Sequence, residues 1–166
     1  MMNIGILTIS DRGARGEYED RSGPVIAEVL AAETTWAVAE RAIVPDEMEA
    51  IAATLRHWCD RGLNLILTTG GTGFAPRDIT PEATRSVIER ETPGIAEALR
   101  AESLKITRHA MLSRGVAGIR QRTLIINLPG SPKAVRENLA VLLPVLPHAL
   151  ELLADAPGSE QGHRSV

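Results

Sequence analysis

The chain has 166 residues, 44% of them apolar but only 2% aromatic, so almost all of its hydrophobic material is aliphatic. A chain of this length forms a single domain able to bury roughly 70% of its unfolded surface, which excludes disorder over most of it. Its 18 basic and 21 acidic side chains give a net charge of −3 without any Lys or Arg run, and its aromatics are two Trp, one Tyr and one Phe, so nucleic-acid binding is excluded on both charge and stacking grounds. The single Cys59 excludes an internal disulfide and a multi-cysteine zinc site. No window approaches the ~20 apolar residues of a membrane span, and no secretory leader pattern precedes the first strand, so the reading is a cytoplasmic protein with no membrane contact.

Asn3 to Ile9 is β-rich and nearly all apolar, as a strand covered on both faces would be. A polar loop with Gly13 and Gly16 follows, and then a helix with Pro24 at its first position and Val25, Ile26, Val29 and Leu30 on one face. Trp36 to Val44 alternates more, as an edge strand does, and Pro45 closes it. Asp46 reads as an N-cap with Glu49 in the capping-box position, opening a helix that Gly62 ends.

Leu63 to Thr69 is the clearest strand, and it runs into Gly70-Gly71-Thr72-Gly73. Thr80 as cap and Pro81 as first residue begin a helix with Ala83, Val87 and Ile88 inward. Pro93-Gly94 breaks it, and Ile95, Ala98 and Leu99 start the next. Val116 to Arg120 and Thr123 to Leu128 form a hairpin joining an antiparallel strand to a buried one. Pro129-Gly130-Ser131-Pro132 leads into a helix with Val135, Leu139, Leu142 and Leu143 inward, and Pro144 and Pro147 divide it from a short last helix. Strands alternating with helices predict a three-layer α/β/α sandwich, mostly parallel with an antiparallel edge hairpin, over residues 1–153. Residues 154–166 read as a disordered tail.

In such sheets ligands bind beyond the carboxyl ends of the strands. Three glycine-bearing loops fall there: Ser10 to Gly16, Thr69 to Gly73, and Pro129 to Pro132. Singly they are ordinary turns; together they offer convergent backbone amides and helix N-termini to a phosphorylated ligand. Thr68 to Gly73 carries three glycines and three threonines, but neither the Lys of a Walker loop nor dinucleotide-fold spacing. Asp46 and Asp78 lie beside these loops. Each has a structural reading, as a cap or a turn residue, and together they have a functional one: carboxylates beside a phosphate cradle are explained by a shared cation, and Mg²⁺ takes one or two carboxylates plus substrate phosphates. Arg12, Arg77 and Lys133 flank the loops as phosphate neutralisers or as solvated surface charges. His57, His109, His148 and His163 lack metal-ligand spacing, and no G-x-S-x-G elbow occurs, which disfavours nucleophilic hydrolase chemistry.

Four blocks in order resemble the MoaB/Mog family of molybdenum cofactor biosynthesis proteins, most of all its Mog-type molybdopterin adenylyltransferases. They are Thr8-Ile9-Ser10-Asp11-Arg12 with Gly16 and Tyr18; Ile43-Val44-Pro45-Asp46-Glu47; Thr68 to Gly73 continuing through Arg77-Asp78-Ile79-Thr80-Pro81-Glu82-Ala83; and Leu128 to Ala134. The resemblance, over about Ile4 to Leu153, implies an α/β/α fold in a homotrimer that uses Mg²⁺ and ATP to adenylate the terminal phosphate of molybdopterin. It implies that Asp46 and Asp78 are the catalytic and metal-holding pair. The Thr69, Gly70, Gly71, Thr72 and Gly73 segment aligns with the pterin-phosphate site, and we expect Ser10, Asp11, Gly130 and Ser131 to line the rest of the pocket. It also implies contact with a molybdate-insertion protein. Set against this reading are a non-catalytic trimeric pterin carrier and a magnesium-dependent phosphohydrolase. Tyr18 and Phe74 are the aromatics in the loops and so the candidates for stacking on a flat ring.

Overall fold

The structure is a computed structural model, and it describes residues 1–154. Six strands form one sheet in the order β2-β1-β3-β6-β5-β4: β1 (Asn3–Ile9), β2 (Ala37–Val44), β3 (Leu65–Thr69), β4 (Arg90–Glu91), β5 (Ala117–Arg120) and β6 (Thr123–Leu128). The first four in that order run parallel, and β5 runs antiparallel to both of its neighbours. The helices are α1 (Asp11–Ala14), α2 (Ser22–Glu33), α3 (Met48–Asp60), α4 (Thr80–Arg85), α5 (Pro93–Leu104), α6 (Pro132–Leu142) and α7 (Leu146–Leu153), with a 3-10 turn at Arg108–Leu112.

Both faces of the sheet are covered, which is why the central strands read as unbroken apolar runs. Ile4, Ile6, Leu65, Leu67, Leu124 and Ile126 pack against α2, α5, α6 and α7. The alternate residues Leu7, Ile9, Ile66 and Ile125 pack against α3 and α4. Each such side chain contributes about 1.5–3 kcal/mol by leaving water. At the start of β1 the pattern is interrupted by Gly5, where a Cβ would lie 2.6 Å from the ring of Trp58 on α3. The expected α/β/α sandwich with an antiparallel edge hairpin is therefore the observed fold. The expected tail lies, beyond Ala154, outside the described residues. Among the described residues no helix is long and apolar enough to cross a membrane.

Several boundaries differ from expectation for identifiable reasons. Helix α2 starts two residues before Pro24, because Asp20 accepts from the Ser22 hydroxyl and the Gly23 N–H and so opens the helix from outside. Asp46 is not the cap of α3: Glu47 precedes that helix without a side-chain cap, and Glu49 pairs with Arg56. Thr80 is the first residue of α4, not its cap, and α4 ends at Arg85, before Val87 and Ile88. The chain leaves the helix there to pair with β5, Glu89 N–H donating to the Ile119 carbonyl and Thr92 N–H to that of Ala117. Pro93 opens α5, where its missing N–H costs nothing. Trp36 falls just before β2.

β2 and β3 flank β1 on opposite sides, so the connections leaving β1 and β3 diverge. This is the switch point at which an open α/β sheet presents a crevice.

Candidate active site

At this crevice the loops after β3 and β6 are fastened to one another, and the loop after β1 is tied to the end of β2. The Thr69 hydroxyl donates to the Pro129 carbonyl at 2.7 Å, Gly70 N–H donates to Leu128 O at 3.3 Å, and Ser10 N–H donates to Val44 O at 2.9 Å. Gly70 and Gly71 have φ of 96° and 66°, in the left-handed region where glycine is favoured. Any side chain would also collide: a Cβ on Gly70 would run into the Ile9 carbonyl oxygen, and one on Gly71 would run into the Thr80 hydroxyl and lie 3.0 Å from Asp46 Oδ1. Thr80 holds the segment from below, its hydroxyl donating to Gly70 O at 2.9 Å and its N–H to Gly71 O at 3.1 Å.

Asp46 and Asp11 embrace reciprocally. Asp11 N–H donates to Asp46 Oδ2 at 2.9 Å, and Asp46 N–H donates to Asp11 Oδ1 at 3.0 Å. Arg77 closes the group with a bidentate pair onto Asp11, Nε to Oδ2 at 2.9 Å and Nη2 to Oδ1 at 2.8 Å. These hydrogen bonds hold the Asp11 carboxyl below the ordinary aspartate range. Asp46 is pushed the other way, first by burial and then by the charges of Asp11 and Asp78, against the Asp11 N–H and Arg77. Asp46 and Asp78 stand along the same glycine segment, Asp46 beside Gly71 and Asp78 beside Gly73, where a Cβ would lie 2.9 Å from Asp78 Oδ2. That oxygen accepts from Ala75 N–H at 3.0 Å within the turn from Gly73 to Asp78.

Two cavities flank the glycine segment. The smaller, about 190 Å³, is lined by Ser10, Tyr18, Arg21, Thr69, Gly70 and Gly130 among others. The larger, about 270 Å³, starts at Thr72 and Gly73 and runs along α5 and α6, with Leu99 and Ile126 as apolar wall and Arg100 and Glu137 as polar groups. The Thr69–Gly73 segment therefore borders both. Among the expected site residues, Asp11, Asp46, Asp78 and the glycine segment lie together, with Ser10 and Gly130 on the smaller cavity. Thr69 is fully buried with its hydroxyl turned to Pro129, and the Ser131 hydroxyl caps α6 by accepting from Ala134 N–H.

Of the flanking cations, Arg12 lies 4.9 Å from the Tyr18 ring centroid, Arg77 is bound to Asp11, and Lys133 lies 3.8 Å from Glu137. Phe74 is 68% exposed and borders neither cavity. Sequence reading missed Arg114, which reaches back 41 residues to the Gly73 carbonyl, and Asp20, which ties Thr8 at the end of β1 to the start of α2. Neither has a local signal, because Arg114 acts on partners distant in the chain and Asp20 lies in a loop without a motif.

A family model described as "Probable molybdopterin binding domain" matches residues 5–148. The chain is 46% identical to a molybdopterin adenylyltransferase of Helicobacter pylori J99, over 92% of this chain and 88% of that protein. It is 47% identical to gephyrin of Dictyostelium discoideum over 98% of its own length, but spans only 24% of that much longer protein. Among solved structures, the molybdopterin biosynthesis enzyme MoaB of Thermus thermophilus superposes with a TM-score of 0.88 at 57% identity, covering 95% of this chain and 99% of that one. With a match that runs from the first strand to the last helix and takes in all three loops, the chain belongs to the molybdopterin-binding-domain family of molybdenum cofactor biosynthesis proteins.

Proposed function

We propose that the chain is a molybdopterin adenylyltransferase, which transfers AMP from ATP to the terminal phosphate of molybdopterin and releases pyrophosphate. The observation that carries this reading is the glycine segment shared by two cavities, with Asp46 and Asp78 beside it: two substrates can meet there with their phosphates on common ground. The larger, partly apolar cavity suits the pterin, and the smaller one, between the loops after β1 and β3, suits the nucleotide. The unit is the domain of residues 1–153. From the family resemblance we also infer a homotrimer, a cytoplasmic location and delivery of product to a molybdate-insertion protein.

Among the described residues no cluster of three or more His, Cys, Asp or Glu could hold a metal ion alone. Two carboxylates that repel one another beside phosphate-binding amides do suit a Mg²⁺ ion that completes its shell with substrate phosphates and water. Asp46 and Asp78 would hold it, and when bound it would neutralise phosphate charge at the reacting centre. In the reaction an oxygen of the molybdopterin phosphate bonds to the α-phosphorus of ATP, the α–β bridge breaks, and the electron pair leaves with pyrophosphate. Both reactants are anions, so positioning and charge neutralisation dominate and no protein nucleophile is required. The amides of Gly71 to Gly73 bind and orient the attacking phosphate, the Gly70 N–H being held by Leu128 O. Asp11, held by Arg77, fixes Asp46 in place.

The test is pyrophosphate release by purified protein with molybdopterin and Mg-ATP. Asp46→Asn and Asp78→Asn should each lower the rate by about 100-fold or more while the fold and pterin binding persist. Near-normal turnover in both variants would overturn the assigned roles. Pterin binding without release in the wild type would instead favour a carrier, and ATP hydrolysis without pterin a phosphohydrolase.

A further inference from the structure

The turn that carries Asp78 is clasped by a side chain from the segment that leads into β5. Arg114 precedes β5. Its backbone N–H donates to Thr72 O at 2.9 Å, its Nε donates to Gly73 O at 2.8 Å, and its Nη2 donates to Asp78 O at 2.8 Å. The same guanidinium forms an ion pair with Glu82 on α4, the element that follows the turn. One planar fork thus holds the first residue of the turn, its last residue and the helix beyond it.

The turn has little slack of its own. Asp78 N–H donates to Ala75 O at 2.9 Å, Ala75 N–H returns to Asp78 Oδ2 at 3.0 Å, and a Cβ on Gly73 would lie 2.9 Å from that same Oδ2. The Asp78 carboxylate is thus tied to the turn backbone through the Ala75 N–H, with room for no side chain at Gly73, so a shift of the turn's ends against each other moves the carboxylate with it. Arg114 bonds the backbone of Asp78 and not its carboxylate, and it borders neither cavity. We propose that Arg114 is a positioning residue for adenylyl transfer, which sets the Asp78 carboxylate by locking both ends of its turn. The proposal rests on Asp78 as a cation-holding carboxylate. A lysine could reach one carbonyl but has no rigid fork to span two.

The experiment compares Arg114→Gln, Arg114→Lys and Asp78→Asn with wild type. Mn²⁺ affinity is measured by electron paramagnetic resonance with a non-transferable ATP analogue, alongside kcat, KM for molybdopterin and Tm. Arg114→Gln should weaken Mn²⁺ binding about tenfold and lower kcat about 10–100-fold, since misplacement near 1 Å can cost 10²-fold, with KM for molybdopterin within about twofold. Arg114→Lys should fall between. A folded Arg114→Gln protein with wild-type Mn²⁺ affinity and kcat overturns the proposal, whatever its Tm. If that variant does not fold, Glu82→Gln decides: Mn²⁺ binding weakened about two- to fivefold supports it, and unchanged binding overturns it. Wild-type Mn²⁺ affinity in Asp78→Asn would sink the underlying reading of Asp78. Loss there, with none in Arg114→Gln, sinks only the positioning role.

Discussion

Asp46 carries its charge in a setting that opposes it. Burial and the neighbouring Asp11 and Asp78 raise its folded pKa, so the folded chain takes up this proton at a pH where the unfolded chain would still be ionised there. Stability therefore falls as pH rises through that window, and at neutral pH the charge weakens the fold. Asp46→Asn removes the penalty and keeps an oxygen for the Asp11 N–H. The variant should melt about 1–3 °C above wild type at neutral pH, the gap closing below the ordinary aspartate range, while the proposed AMP transfer slows. Differential scanning calorimetry across that range checks both sign and window. Asp11 is the opposite case: its lowered carboxyl contributes above its unfolded pKa and stops contributing only when pH falls through the lower folded value. The loop aromatics also divide. Tyr18 borders the smaller cavity between Arg12 and Arg21, so Tyr18→Leu should weaken nucleotide binding about threefold to tenfold by calorimetric titration, and Phe74→Leu should change it by less. In the sequence Asp46 read as a cap on its local pattern and as half of a carboxylate pair with Asp78 beside the glycine loops. Its reciprocal bonds with Asp11, 35 residues away, which replace the capping role, had no local signal.

Among the elements, the join between β1 and α2 shows how the crevice is kept open. Thr8 is 5% exposed, and its hydroxyl donates to Asp20 Oδ2 at 2.8 Å, while Asp20 Oδ1 accepts from the Ser22 hydroxyl at 3.3 Å and Gly23 N–H at 3.0 Å. The intervening loop, which contains α1 and Tyr18, is therefore pinned at both ends. Thr8→Val keeps the shape and removes the donor, leaving one carboxylate oxygen without that partner. It should cost about 1–3 kcal/mol, read from the urea midpoint at unchanged slope. Elements with a period of their own were legible: β1, the hairpin of β5 and β6, and the apolar faces of α2, α3 and α6 follow from alternation and helical spacing. β4 and the 3-10 turn were not, because two residues of edge pairing and one turn of helix are chosen by distant partners and not by local pattern.

For the whole molecule, the polarity of the sheet puts the glycine loops and the proposed site at one end and leaves the other to packing. The loops after β1, β3 and β6 converge beyond the carboxyl ends of three parallel strands, and that much could be read from glycine loops following apolar runs. The strand order could not, nor could the division of the convergence into two cavities, since both depend on how α5 and α6 lie on the sheet. The contact between Gly5 and Trp58 belongs to the opposite end, at the start of β1, and Trp36 stands just before β2, whose first residue pairs with Asn3. Both indoles, the only ones in the chain, are thus a strand's length from the glycine loops. The protein consequently carries a built-in optical reporter that is blind to nucleotide: tryptophan emission should stay constant through a Mg-ATP titration and shift to the red only when the core around Gly5 opens, so one fluorescence channel follows unfolding without interference from ligand.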